Sequence, residues 1–99
     1  MAVLVTVVLD LKPEIAEEFL GYIDGLLEDT CKRPGFIDIE IKRGQDKPNQ
    51  IILIENWETV ADYEAYFGWR KERGDIDQIN AALNQPFTPQ YWGETIASK

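Results

Sequence analysis

Ninety-nine residues, 44% of them hydrophobic, make one domain with room for a single core, and a net charge of −8 excludes the basic surfaces that nucleic acids and anionic membranes select. No histidine occurs, which removes Ser-His-Asp and Cys-His catalysis, ordinary zinc sites and histidine-ligated haem. The lone Cys31 has neither an imidazole nor a second thiol to work with, and is expected as a small buried hydrophobe in a reducing cytoplasm.

Residues 3–11 predict a first strand, dominated by β-branched Val and Thr and apolar enough to be covered on both faces. Lys12-Pro13-Glu14 opens a helix: proline is tolerated in a first turn, and Glu14, Glu17 and Glu18 suit the positive end of the helix dipole. Ile15, Phe19, Tyr22, Ile23, Leu26 and Leu27 recur at helical spacing as one apolar stripe, and Pro34-Gly35 ends the region. Phe36 to Arg43 alternates Ile37, Ile39 and Ile41 with Asp38, Glu40 and Lys42, the pattern of a half-exposed strand. A turn-rich Gly44–Asn49 then makes Gln50 to Trp57 its hairpin partner. Glu55 shares a face of that strand with Leu53 and Trp57, while Asn56 points to the dimer seam or solvent.

Thr59 has the chemistry of an N-cap, with Asp62 a partial capping-box match, for a helix over Val60–Lys71. The run Arg70-Lys71-Glu72-Arg73 could meet an anionic ligand, but reads first as a solvated helix end. Gly74 interrupts the helix, Asp75–Leu83 resumes it, Gln85–Pro89 is a linker, and Tyr91–Ala97 predicts a final strand. The order βαββαβ is the α+β, ferredoxin-like pattern, a four-stranded antiparallel sheet with helices on one face. The other face needs cover, which in so small a domain a second copy supplies. The chain shows no secretory-type start, and no apolar run approaches the roughly 20 residues that cross a bilayer, so a cytoplasmic homodimer is expected.

Five of the eleven aromatic residues fall between Trp57 and Trp69, where a strand hands over to a helix. Such a cluster closes a core or walls a pocket. With Pro34-Gly35-Phe36, the hairpin down to Glu55-Asn56-Trp57, the Tyr66-Phe67-Gly68-Trp69-Arg70 helix and the closing strand after Pro86, the whole chain resembles the antibiotic biosynthesis monooxygenase family of dimeric α/β barrels. The resemblance implies a cofactor-free enzyme with a pocket between sheet and helices for a small hydrophobic aromatic or quinol-type molecule. An enolate or phenolate of such a substrate reduces O2 directly, so the protein need only favour proton loss, stabilise the anion and exclude water.

By the same resemblance Trp57 and Tyr63 stand at the family's tryptophan and active-site tyrosine positions, as a stacking or N–H donor and a proton donor or relay. Glu55 is a candidate base, since burial raises a carboxyl pKa, and also a candidate anchor for a neighbouring backbone or indole. Tyr22, Tyr66, Trp69 and Trp92 are further candidate walls for substrate. Haem degradation does not fit, because the first strand offers only Thr6 and Asp10 as polar residues and the ligand-bearing helix has Tyr66 and Phe67. A non-catalytic binding dimer, or a lyase, cyclase or isomerase of the same fold, would share every wall residue.

Overall fold

Alternation, rather than cover on both faces, organises β1 (Val3–Asp10) in the computed structural model, which describes residues 2–99. Val3, Val5, Val7 and Leu9 are buried, whereas Val8 is exposed. The buried set faces the helices and forms the centre of the core, each side chain contributing about 1.5–3 kcal/mol. β3 (Gln50–Trp57) pairs antiparallel with β1, setting Val3 opposite Trp57, Val5 opposite Glu55 and Val7 opposite Leu53. β2 (Phe36–Arg43) pairs with β3, and β4 (Gln90–Trp92) with β1, giving the order β2-β3-β1-β4.

A register shift between Phe36 and Asp38 lets Phe36 share the helix-side face with Ile39 and Ile41, and leaves Ile37 exposed. The strict alternation read from the sequence holds only beyond this bulge. β4 is also shorter than Tyr91–Ala97. Leu4 pairs with Trp92, so an antiparallel continuation past Trp92 runs off the start of β1.

The helices follow. α1 (Ala16–Thr30) begins later than Pro13, because the Ile15 N–H turns back onto the Lys12 carbonyl and closes a turn first. α2 (Val60–Glu72) starts as its cap predicts, with the Asp62 N–H donating to Thr59 Oγ1 at 3.0 Å. Gly74, at φ +85°, breaks the helix and starts α3 (Asp75–Ala81). Cys31 departs from expectation. It caps α1 and is exposed, while Thr30, one residue earlier, takes the buried position. Among the described residues no helix is long and apolar enough to cross a membrane.

Candidate functional site

Between the helix-side face of the sheet and helices α2 and α3 lies a cavity of about 50 Å³. Val7, Leu9 and Leu53 form its floor, Tyr63, Tyr66 and Phe67 its α2 wall, and Ile76, Ile79 and Phe87 close the remaining side. Two charged side chains reach this apolar space: Glu55 from the sheet and Arg70 from α2.

Glu55 is there because β3 alternates. Leu53, Glu55 and Trp57 share the face that packs on the helices, and Glu55 is only 3% exposed. Burial lifts its carboxyl from the ordinary 4.5 to about 7, against the hydrogen bond from Trp57 and the charge of Arg70, which both favour the carboxylate. The Trp57 indole Nε1 donates to Oε1 at 3.0 Å, leaving Oε2 as the oxygen not held by the indole. Near neutral pH this carboxyl exchanges a proton at little cost, the property required of a general base.

Trp57 is fully buried, with Phe36 edge-on to its ring, Tyr63 edge-on at 5.7 Å and Tyr66 stacked at 5.0 Å. Its N–H is given to Glu55, so Trp57 reaches the cavity through the side chains it holds rather than by contact. Tyr63 is buried and lines the cavity. Its phenol is pushed well above the usual tyrosine value, first by burial and then by the nearby charge of Glu55. It stays protonated at every ordinary pH, with its hydroxyl proton available to donate.

Arg70 is the residue that sequence reasoning missed. It is 2% exposed, and its neighbours Lys71 and Arg73 account for the solvated character read from the run. Its Nε donates to the Tyr66 hydroxyl (3.2 Å), Nη1 to Asp75 (2.9 Å), and Nη2 to both the Leu26 carbonyl (2.7 Å) and Thr30 Oγ1 (3.0 Å). Burial works against its charge, but the Tyr66 and Asp75 contacts outweigh this and hold the guanidinium above its usual value. Thr30 donates its one proton to the Leu26 carbonyl at 3.1 Å, so the Tyr66 hydroxyl, 3.0 Å from Thr30 Oγ1, must donate to that oxygen. Tyr66 therefore offers the cavity its ring, with its hydroxyl already engaged. A signal was available: Tyr63, Tyr66, Phe67 and Arg70 recur at three and four residues, one helix face.

Other candidate walls lie elsewhere. Tyr22 is 48% exposed and borders an open groove between α1 and α3, where it touches Phe19. Trp69 is half-buried and tilted on Tyr66 at 6.4 Å but does not line the cavity; the Arg33, Arg70 and Arg73 guanidiniums lie 4.5, 5.0 and 4.6 Å from its ring centre. Trp92 is 52% exposed and donates to Thr6 Oγ1 on the outer sheet face. Its neighbour Tyr91, paired with Val5, turns inward and meets Tyr63 edge-on at 5.8 Å. The difference is one residue of register. Among the described residues no group of three or more acidic or cysteine side chains is placed to hold a metal ion.

The sequence profile of the family described as antibiotic biosynthesis monooxygenase matches residues 2–70, from β1 to the buried arginine. The chain belongs to that family. The matched span holds β1, β2, β3 and the strand-to-helix passage that carries Glu55, Trp57 and Tyr63; α3, the Phe87 linker and β4 lie beyond it. Solved structures agree on the fold. A conserved protein from Methanosarcina mazei superposes with a TM-score of 0.85 at 19% identity, over 96% of this chain and 94% of its own. A structure described as an antibiotic biosynthesis monooxygenase reaches 0.82 at 22% identity, over 94% and 98%. A Mycobacterium tuberculosis protein reaches 0.82 at 13%, over the full length of both. None of the curated proteins matches the sequence.

Proposed function

We propose that this protein is a cofactor-independent monooxygenase acting on a small hydrophobic aromatic or quinol-type molecule at a site that includes the aromatic-lined cavity beneath α2, and that it works as a homodimer in the cytoplasm. The observation that carries the reading is Glu55: a carboxyl titrating at about 7, buried against an aromatic cavity, with one oxygen held by Trp57. Glu55 takes a proton from an acidic C–H or O–H of the substrate. Tyr63 donates a hydrogen bond to the resulting oxyanion, and the Arg70 charge adds to the field that stabilises it. The enolate gives electrons to O2. For a methylene oxidised to a carbonyl, two C–H bonds break, one oxygen atom enters the product and the other leaves as water. The apolar floor keeps bulk water from the anion.

The homodimer reading is supported by the outer face of the sheet, where Leu4, Val8, Ile52, Ile54 and Trp92 gather, with Val8 and Trp92 exposed. A second functional reading, a ligand-binding dimer without turnover, has one observation in its favour: Glu55 already has structural work in anchoring Trp57.

Oxygen uptake over a panel of anthrones and hydroquinones separates the two. Wild type is expected to consume O2 with at least one of them, and Tyr63→Phe and Trp57→Phe to do so more slowly. Binding of panel members with no uptake by any would replace the oxygenase by the binding dimer.

A further inference from the structure

We propose that the ligand site is larger than the cavity beneath α2. Rotation of the Phe67 side chain joins the cavity to the groove on the far side of α2, and the joined space takes an elongated aromatic molecule. Its inner ring lies by Glu55 and its polar outer end between Glu64 and Lys71. This inference rests on reading the cavity as a ligand site, and concerns how that site is reached and how long a molecule it accepts.

The cavity alone is too small. At about 50 Å³ it is far short of the roughly 300–1,000 Å³ of small-molecule pockets, and admits little more than water. Beside it, on the outer side of α2, runs an open groove of about 310 Å³ between Glu64, Phe67, Gly68 and Lys71 of the helix and Pro89 and Tyr91 of the β4 approach. The groove by itself stands at the lower end of the small-molecule range, and joining it to the cavity adds the aromatic wall and the Glu55 carboxyl. Phe67 is the side chain that lines both.

Its surroundings suit a gate. Phe67 is half-buried, edge-on to Phe87 at 6.1 Å and tilted on Tyr63 at 6.2 Å, so rings rather than hydrogen bonds hold it in place. Moving between staggered rotamers needs no change in the α2 backbone.

Gly68 adds an independent observation. Glycine inside a helix costs about 1 kcal/mol relative to alanine. At Gly68 no left-handed φ requires it, and a Cβ there would meet nothing within 4 Å. Neither backbone geometry nor close packing explains it, which is equally true of Gly21 and Gly25 on α1; what is particular to Gly68 is that it leaves the groove floor bare. The groove ends supply Lys71 and Glu64, a cation and an anion facing one open space, which fits hydroxyl or carbonyl groups on the outer end of the ligand.

The test uses the full chain with 2-naphthol as probe, binding followed by calorimetry and association by stopped-flow fluorescence. Phe67→Ala is expected to speed association by about tenfold or more, and Gly68→Leu to weaken binding by about tenfold or more. Gly68→Leu enters open space with a better helix former, so it reports even where Phe67→Ala folds poorly. Gly25→Leu is the control, on α1 away from the groove and equally open, and is expected to change nothing. Unchanged association in Phe67→Ala with unchanged affinity in Gly68→Leu overturns the proposal, as does an equal effect of Gly25→Leu or failure of 2-naphthol to bind. If the variants behave as expected but no substrate drives O2 uptake, the composite site stands and the oxygenase reading falls.

Discussion

Glu55 occupies a position that an apolar residue would fill more cheaply, and this has a measurable consequence. Its carboxyl titrates at about 7 folded and near 4.5 unfolded, so the folded state binds more protons between these values. The stabilisation is complete below the unfolded value and is lost as pH rises through about 7, in total on the order of 3 kcal/mol. Urea titrations are expected to show wild type losing stability from about pH 5 to pH 8, and Glu55→Gln losing less over the same range. Equal slopes would place the carboxyl in an ordinary environment. The position of Glu55 was legible in the sequence, since the two-residue period that turns Leu53 and Trp57 towards the helices must turn it there too. Tyr91 and Trp92 were not separable that way. Both are aromatic neighbours in a short edge strand, and only its pairing with β1 decides which turns inward.

α2 shows what local chemistry decides and what it leaves to tertiary contacts. Its start is local: Thr59 caps it, and Thr59→Ala is expected to cost about 1 kcal/mol by thermal melting. Gly35 packs under the same turn at φ +82°, where a Cβ would overlap the Asp62 side chain. Gly35→Ala therefore carries about 1–2 kcal/mol of left-handed strain with the clash added. The end of α2 is not local. Arg70 is buried because the Leu26 carbonyl and Thr30 reach it from α1 and Asp75 from α3, and no short window of sequence contains that set. Truncating it leaves Asp75, 14% exposed, with only Arg73 at 3.5 Å, and Arg70→Ala is expected to cost about 3 kcal/mol in urea unfolding. Arg70→Lys should restore only part, since one ammonium cannot span Tyr66, Asp75 and Leu26 together.

For the molecule as a whole, the βαββαβ order and the antiparallel sheet followed directly from hydrophobic periodicity and turn chemistry. The shape of the cavity did not, because it depends on where Phe67 and Phe87 meet, and they come from a helix and a distant linker. The outer sheet face argues for a second copy. Val8→Glu, a charge at an exposed apolar centre of that face, is expected to shift a dimer to monomer in sedimentation at micromolar protein while leaving the fold intact. A wild-type monomer at that concentration would refute the dimer. The most direct test of the central claim, that Glu55 takes the substrate proton, is oxygen uptake with an anthrone as a function of pH in wild type and Glu55→Gln. The wild-type rate should rise through about pH 7 and level off, and the variant should fall by about 100-fold or more without that inflection. A Glu55→Gln protein that keeps the wild-type rate and pH profile would contradict it.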